Sequence, residues 1–195
     1  MTATSLDIPD RQQSAGAVEP GLLRGVCGLF VTGVTVITSG RGERAAGTTV
    51  NSFTSVSLEP PLVLFCLHRG SRLHAVVEET GAYTVNFLAA RQEPLARAFA
   101  GKETARVADV PYGLSATGVP FLGGALAHAA CRLVNSVDGG DHTIFVGEVV
   151  ELGLPDQSPD PLVFFRGELG PLRGGSEAHT LDTFPVVHSE GRIHS

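Results

Sequence analysis

Apolar positions along the 195-residue chain fall in short runs whose period changes from one run to the next. From Pro20 onward, Leu22, Leu23, Val26, Cys27 and Phe30 recur at helical spacing and predict a short helix with one apolar face. Gly33 ends that pattern, and Val34, Val36 and Thr38 open an alternating strand. Ser39-Gly40-Arg41-Gly42 reads as a hairpin turn, with a second strand through Ala45 to Val50. Ser55 to Leu67 reads as a third strand interrupted at Pro60-Pro61, because proline cannot donate to a ladder. Its last part, Leu62 to Leu67, is a continuous apolar run suited to burial. Ser71 is placed to cap a short helix over Leu73, Val76 and Val77, which Gly81 terminates. Tyr83 to Leu88 alternates as a strand, and Glu93 to Ala100 reads as a helix that tolerates Pro94 in its first turn.

Beyond Gly101 the chain is irregular and rich in glycine and proline as far as Gly124. Two strands then follow, Ala125 to Asp138 and His142 to Leu152, joined by Gly139-Gly140, and a last one covers Pro161 to Arg166. Residues 1–19 read as a polar tail, 20–170 as one domain and 171–195 as an extension carrying His179, His188 and His194 without ligand spacing. At least six short strands, mostly linked by turns, predict a mainly β, antiparallel barrel with a few short flanking helices. The helices do not alternate regularly with the strands, which excludes a doubly wound sheet.

Composition sharpens this picture. The 24 glycines and 12 prolines, with 6% aromatics, oppose long helical bundles and favour short strands joined by tight turns. With 43% apolar and 17% charged residues the chain is not of the disordered class. Fourteen basic against 20 acidic side chains give a net charge of −6 without any basic block, which argues against nucleic acid as a partner. Cys27, Cys66 and Cys131 form no CxxC pair, so neither a zinc site nor a disulfide framework is indicated, and buried free thiols are expected. No apolar run approaches the ~18–20 residues of a membrane helix, and the N-terminus lacks the features of a signal peptide. A soluble, cytoplasmic protein is expected.

Three constellations carry candidate chemistry. Seven of the eleven residues from Gly47 to Ser57 are Thr, Ser or Asn. Such a run is either an exposed polar strand or a wall of small hydroxyls and backbone amides for a planar polar ligand. In Cys66-Leu67-His68-Arg69-Gly70-Ser71-Arg72, a strand ends at a helix start bearing a hydroxyl and a guanidinium. That is either an ordinary strand-to-helix turn or an anion site. In Asp138-Gly139-Gly140-Asp141-His142, a histidine opens a strand at a sheet rim, either as a surface residue or as part of a site. Neither nucleotide-binding fingerprint, GxxxxGK[ST] or GxGxxG, is present in these runs.

At this point the residues carry a resemblance. FVTGVTVIT (30–38), GTTVNSFTSVSLEPPLVLFCL (47–67), GDHTIFVGEV (140–149) and PLVFFRGEL (161–169) resemble, in order and spacing, the blocks of the short-chain flavin reductase family. The resemblance spans about residues 20–170. It implies a split β-barrel, usually homodimeric, that binds FMN or FAD and reduces it with NADH or NADPH. The reduced flavin then serves a partner flavin-dependent monooxygenase. A barrel holding its flavin permanently, as an electron carrier or redox sensor, is the alternative. Carried over residue by residue, the resemblance implies that Gly47, Thr48, Thr49, Asn51 and Ser52 contact the flavin. Cys66, Leu67 and His68 continue that wall, and Ser71 with Arg72 takes the phosphate. His142 is the catalytic-site histidine near the nicotinamide, in a positioning role, and Arg166, Gly167 and Glu168 lie over the cofactor. Leu169 stands where the family often has tyrosine, which removes a stacking face on the nicotinamide side.

Overall fold

The computed structural model describes residues 17–101, 105–154 and 160–172. The predicted tails, with His179, His188 and His194, lie largely outside them. The chain opens with α1 (Pro20–Cys27), then β1 (Thr32–Gly33), β2 (Thr35–Ser39), β3 (Ala46–Val50), β4 (Thr54–Leu58) and β5 (Pro61–His68). Helix α2 (Arg72–Thr80), β6 (Ala82–Phe87) and α3 (Glu93–Ala100) form the middle of the chain. After it come β7 (Tyr112–Leu114), β8 (Pro120–Leu122), β9 (Ala127–Gly139), β10 (His142–Gly153), β11 (Leu162–Phe165) and β12 (Glu168–Pro171).

Seven strands form one antiparallel sheet in the order β3-β2-β6-β9-β10-β5-β4. Its two edge strands, β3 and β4, are consecutive in the chain and joined only by residues 51–53. The sheet therefore curls until its edges approach, giving the antiparallel split β-barrel that the pattern predicts. A three-stranded sheet, β1-β11-β12, and the hairpin β7-β8 lie beside it.

Strand β2 is buried along its whole length because it separates two cores. Ile37 faces Phe65, Tyr83, Val85 and Phe145, with Leu73 and Val77 of α2 closing that side. Val36, one residue away and so on the opposite face, packs with Leu88, Leu122, Leu162 and the Ala96 and Phe99 of α3. Fully burying each of the aromatic or branched side chains contributes about 1.5–3 kcal/mol, so both faces of β2 are strongly specified.

Three departures from the sequence reading have physical causes. Ser55 to Leu67 is not one interrupted strand but the hairpin β4-β5, in which Leu58 pairs with Pro61 and the Glu59–Pro60 peptide bond is cis. The irregular stretch after Gly101 contains the β7-β8 hairpin. Buried polar groups anchor it: Leu122 N donates to Asn86 Oδ1 at 2.7 Å, and Thr38 Oγ1 donates to Pro120 O at 2.5 Å. Finally, α1 forms as predicted, with Glu19 capping the amides of Gly21 and Leu22 at 2.8 Å, but among the described residues none of its side chains is buried. Leu22, Leu23 and Val26 are exposed, as are Leu29, Phe30 and Val31 just after it.

Candidate functional site

Segments far apart in sequence meet where the barrel seam opens. Thr48 to Ser52, Cys66 to His68, Ser71, Gly139, His142 and Ile144 line one cavity of about 730 Å3. That size lies within the ~300–1,000 Å3 of typical small-molecule sites. Ser52 closes the seam at its base. Its hydroxyl donates to Cys66 O at 2.8 Å and accepts from Cys66 N at 3.0 Å, so a side chain continues the β4-β5 ladder one step past Thr54.

The threonines of β3 do not aim their hydroxyls in the way the composition suggests. Thr49 Oγ1 donates to Ala96 O at 2.7 Å and Thr48 Oγ1 to Phe99 O at 3.4 Å, which fastens the strand to α3. What β3 offers a ligand is its main chain. Among the described residues it pairs with β2 on one side only, so alternate N–H and C=O groups of its other edge have no strand partner there. Asn51 Nδ2 donates to Thr32 Oγ1 at 3.3 Å. Gly47 is buried, and a Cβ there would stand 2.9 Å from the Phe99 ring. Its bareness thus makes room for a core side chain.

On the facing strands, His68 and His142 are direct register partners of β5 and β10. Their rings meet edge-on at 5.4 Å. His68 Nδ1 accepts the Gly70 amide at 2.9 Å, so in the neutral ring the proton sits on Nε2. His142 Nδ1 lies 2.7 Å from Asp141 Oδ1; a carboxylate only accepts, so Nδ1 carries the proton and Nε2 of the neutral ring is an acceptor. The hydrogen bond from His142, with its charge, holds the Asp141 carboxyl below the usual carboxylate range. The turn before it is tied down as well. Asp138 pairs with Arg69 and accepts the Gly140 amide at 3.0 Å, and both lower its carboxyl. Burial pushes the Cys66 thiol up, so it stays protonated as part of the wall.

At the end of the cavity α2 begins. Ser71 caps it, accepting Leu73 N at 3.3 Å, and Arg72 is its first residue. Ser71 lines both the main cavity and a second one of about 450 Å3, in which Arg72 and Gly47 also stand. Arg166 and Gly167 form the β11-β12 turn with φ of 52° and 87°, and Arg166 N donates to Gly28 O at 2.9 Å. Gly167 and Leu169 line a smaller cavity of about 260 Å3 that shares Thr49, Val50 and Asn51 with the main one. Glu168 is exposed beside that turn, and Arg166 lies with its guanidinium 5.1 Å from the Phe165 ring centroid.

Of the residues the sequence singles out, Thr48, Thr49, Asn51, Ser52, Cys66, Leu67, His68, Ser71 and His142 therefore share one cavity. Gly47 and Arg72 belong to its neighbour, Gly167 lines the smaller cavity that adjoins it at Thr49, Val50 and Asn51, and Arg166 and Glu168 line none of the three. Gly139, from the third constellation, joins the residues of the main cavity, whereas the sequence reading misses Ile144 and Cys27. Cys27 is expected as a buried thiol yet is exposed and lines the cavity, and among the three cysteines only Cys131 is fully buried. The helical period placed Cys27 on an apolar face, but nothing in it shows that the face is uncovered.

These residues fit a flavin: an unpaired main-chain edge, a protonated thiol and a half-buried Ile144 suit a flat heterocycle, and a helix start with Ser71 and Arg72 suits a phosphate. Fold and site together define a split-barrel protein that binds a flat, anionic cofactor. Residues 27–173 match the flavin reductase like domain, and the chain belongs to that family. It is 38% identical over 152 residues to the reductase subunit HsaB of a flavin-dependent monooxygenase from Mycobacterium tuberculosis, covering 77% of this chain and 81% of that protein. It is 40% identical over 167 residues to an NADH-dependent flavin reductase of a Rhodococcus species, covering 82% and 93%. Among solved structures, the NADH:FAD oxidoreductase of Streptomyces globisporus in complex with NAD and FAD fragments superposes with a TM-score of 0.74 at 38% identity, over 85% of this chain and 100% of that one.

Proposed function

We propose that this protein is an NADH-dependent flavin reductase that reduces free flavin and supplies it to a partner monooxygenase. The observation that carries this reading is the single cavity in which the unpaired edge of β3, the Cys66–His68 wall and His142 converge. When bound, the nicotinamide and the flavin supply the hydride-transfer chemistry themselves. The chain's part is to bind, orient and polarise. Main-chain N–H groups along residues 48–52 offer donors to negative charge at the edge of a heterocycle. Ser71 and Arg72 hold the phosphate. His142, fixed by Asp141 through Nδ1, presents Nε2 to the nicotinamide side and positions it; no side chain has to transfer a proton to carbon.

Steady-state NADH and NADPH oxidation with FAD, FMN and riboflavin tests the activity. Rapid turnover with free flavin supports it, whereas a chromophore that survives desalting and turns over poorly would point to a permanent flavoprotein. His142→Ala raises the KM for NADH about tenfold while the Kd for flavin, measured without nicotinamide, stays near wild type. Unchanged kinetics would remove His142 from the site.

The same reading includes a homodimer. Its support is the uncovered apolar run from Leu22 to Val31, in which Phe30 is 74% exposed. Free thiols at Cys27, Cys66 and Cys131 agree with a reducing, cytoplasmic setting. Among the described residues no helix is long and apolar enough to cross a membrane.

A further inference from the structure

His68 and His142 are held in opposite hydrogen-bonding states on the wall of the main cavity. His68 Nδ1 is taken by the Gly70 amide at 2.9 Å, which leaves an N–H at Nε2 of the neutral ring. His142 Nδ1 is taken by Asp141 at 2.7 Å, which leaves a lone pair at Nε2. Among the described residues, no hydrogen bond uses Nε2 of either ring. The surrounding backbone fixes the pair. Arg69 N donates to Asp141 O at 3.0 Å, Ser71 N donates to His68 O at 2.9 Å, and the Arg69 side chain pairs with Asp138. A donor and an acceptor therefore stand side by side where β5 ends and β10 begins, their ring centres 5.4 Å apart.

Such a pair is complementary to one amide group, which accepts at its oxygen and donates from its nitrogen. Nicotinamide carries a primary carboxamide, and a flavin carries a ring imide. The imide is already served by the edge of β3, whose main-chain N–H and C=O groups have no strand partner among the described residues. We propose that His68 is a specificity-determining residue for the hydride donor: its Nε2–H binds the carboxamide oxygen, while Nε2 of His142 accepts from the carboxamide nitrogen. This rests on the flavin reductase reading above and moves His68 from the flavin wall to the nicotinamide. A ketone or carboxylate in place of the carboxamide would leave the His142 lone pair unmatched, so the pair selects an amide.

The test exchanges the carboxamide for a methyl ketone, which keeps the oxygen and removes the N–H. Kd values for NAD+ and for 3-acetylpyridine adenine dinucleotide are measured by calorimetry on the full chain saturated with oxidised FAD, where neither ligand can donate hydride. The wild-type protein should bind NAD+ about tenfold more tightly than the ketone. His68→Ala should weaken both ligands by the same factor, about fivefold, and so leave their ratio near the wild-type value. His68→Gln, whose side-chain amide also donates, should restore most of that loss. His142→Ala should instead bring the ratio close to one. The KM values of the two reduced dinucleotides should follow the same pattern. Equal wild-type affinity for NAD+ and the ketone overturns the inference. So does a His68→Ala loss that His68→Gln does not restore, which would reduce His68 to packing. A His68→Ala loss confined to the Kd for FAD, measured by flavin fluorescence without nicotinamide, places His68 on the flavin imide and overturns it too. Failure of the wild-type protein to bind FAD contradicts the reductase reading itself, a result distinct from loss of amide selectivity.

Discussion

Gly47 shows how a residue can belong to a functional motif for reasons of packing. It opens the hydroxyl-rich run, yet its missing side chain accommodates the ring of Phe99, a fully buried residue of α3 packed into the core between that helix and the sheet. Gly47→Ala should therefore destabilise the fold by about 1–3 kcal/mol, the usual cost of overpacking a filled core. Urea unfolding measures it, and pairing the substitution with Phe99→Leu should recover most of the loss. A glycine needed for close approach of a ligand would instead lose flavin affinity and keep its stability. Thr48, Thr49 and Ser52 carry the same lesson. Their hydroxyls bond to carbonyls of α3 and β5, and the wall they form works through its backbone.

At the scale of elements, the legible parts were those with a local cause. Period, caps and turn glycines mark α2 between Ser71 and Gly81, the long β9-β10 hairpin and the joining of β2 to β3, because each is decided within a dozen residues. The β7-β8 hairpin was not legible, since its anchor is the side chain of Asn86 on a strand far away in sequence. Asn86 is fully buried, accepting Leu122 N and donating to Val36 O at 2.9 Å and to Thr38 Oγ1 at 3.1 Å. Asn86→Leu leaves the Leu122 amide buried without its acceptor and should cost about 2–3 kcal/mol. Hydrogen exchange should show the loss first as raised exchange at Leu122. The candidate site divides in the same way. Residues 47–52 and 66–72 stand out by composition, but that they share a cavity with Gly139 and His142 depends on the pairing of β5 with β10, which no local pattern reveals.

The rim of the site also belongs to this scale, because two carboxylates flank the β9-β10 turn, Asp138 reaching across to Arg69 just past β5 and Asp141 holding its neighbour His142. Asp138 and Asp141 both titrate below their ordinary value in the folded protein, Asp138 chiefly through Arg69 and Asp141 chiefly through His142. A carboxyl depressed on folding contributes stability above its unfolded pKa of roughly 4, and that contribution is lost as pH falls through the folded value. Melting temperature should therefore drop between about pH 5 and pH 3, and the drop should be shallower in Asp138→Asn/Asp141→Asn. Both groups are exposed, so the difference should shrink in 0.5 M salt.

For the whole molecule the question is what covers α1. The described fold has two filled cores, yet Leu22, Leu23, Val26, Leu29, Phe30 and Val31 remain in solvent within a span of ten residues. That concentration exceeds the scattered apolar residues normal on a monomer's surface, and a helix of eight residues is too short to persist on its own without packing. The run also ends beside the site: Cys27 lines the main cavity, and Gly28 holds the Arg166 turn through its carbonyl. A second copy that buries α1 would thus complete the wall near the cofactor as well as remove apolar surface from water. Light scattering should give a dimer mass at micromolar concentration. Leu23→Glu with Phe30→Glu should yield a monomer whose core melts cooperatively but whose flavin affinity falls several-fold, because α1 loses its support. A monomeric wild type, or a monomeric variant with unchanged flavin binding, would separate the helix from the site and leave its apolar face to another partner.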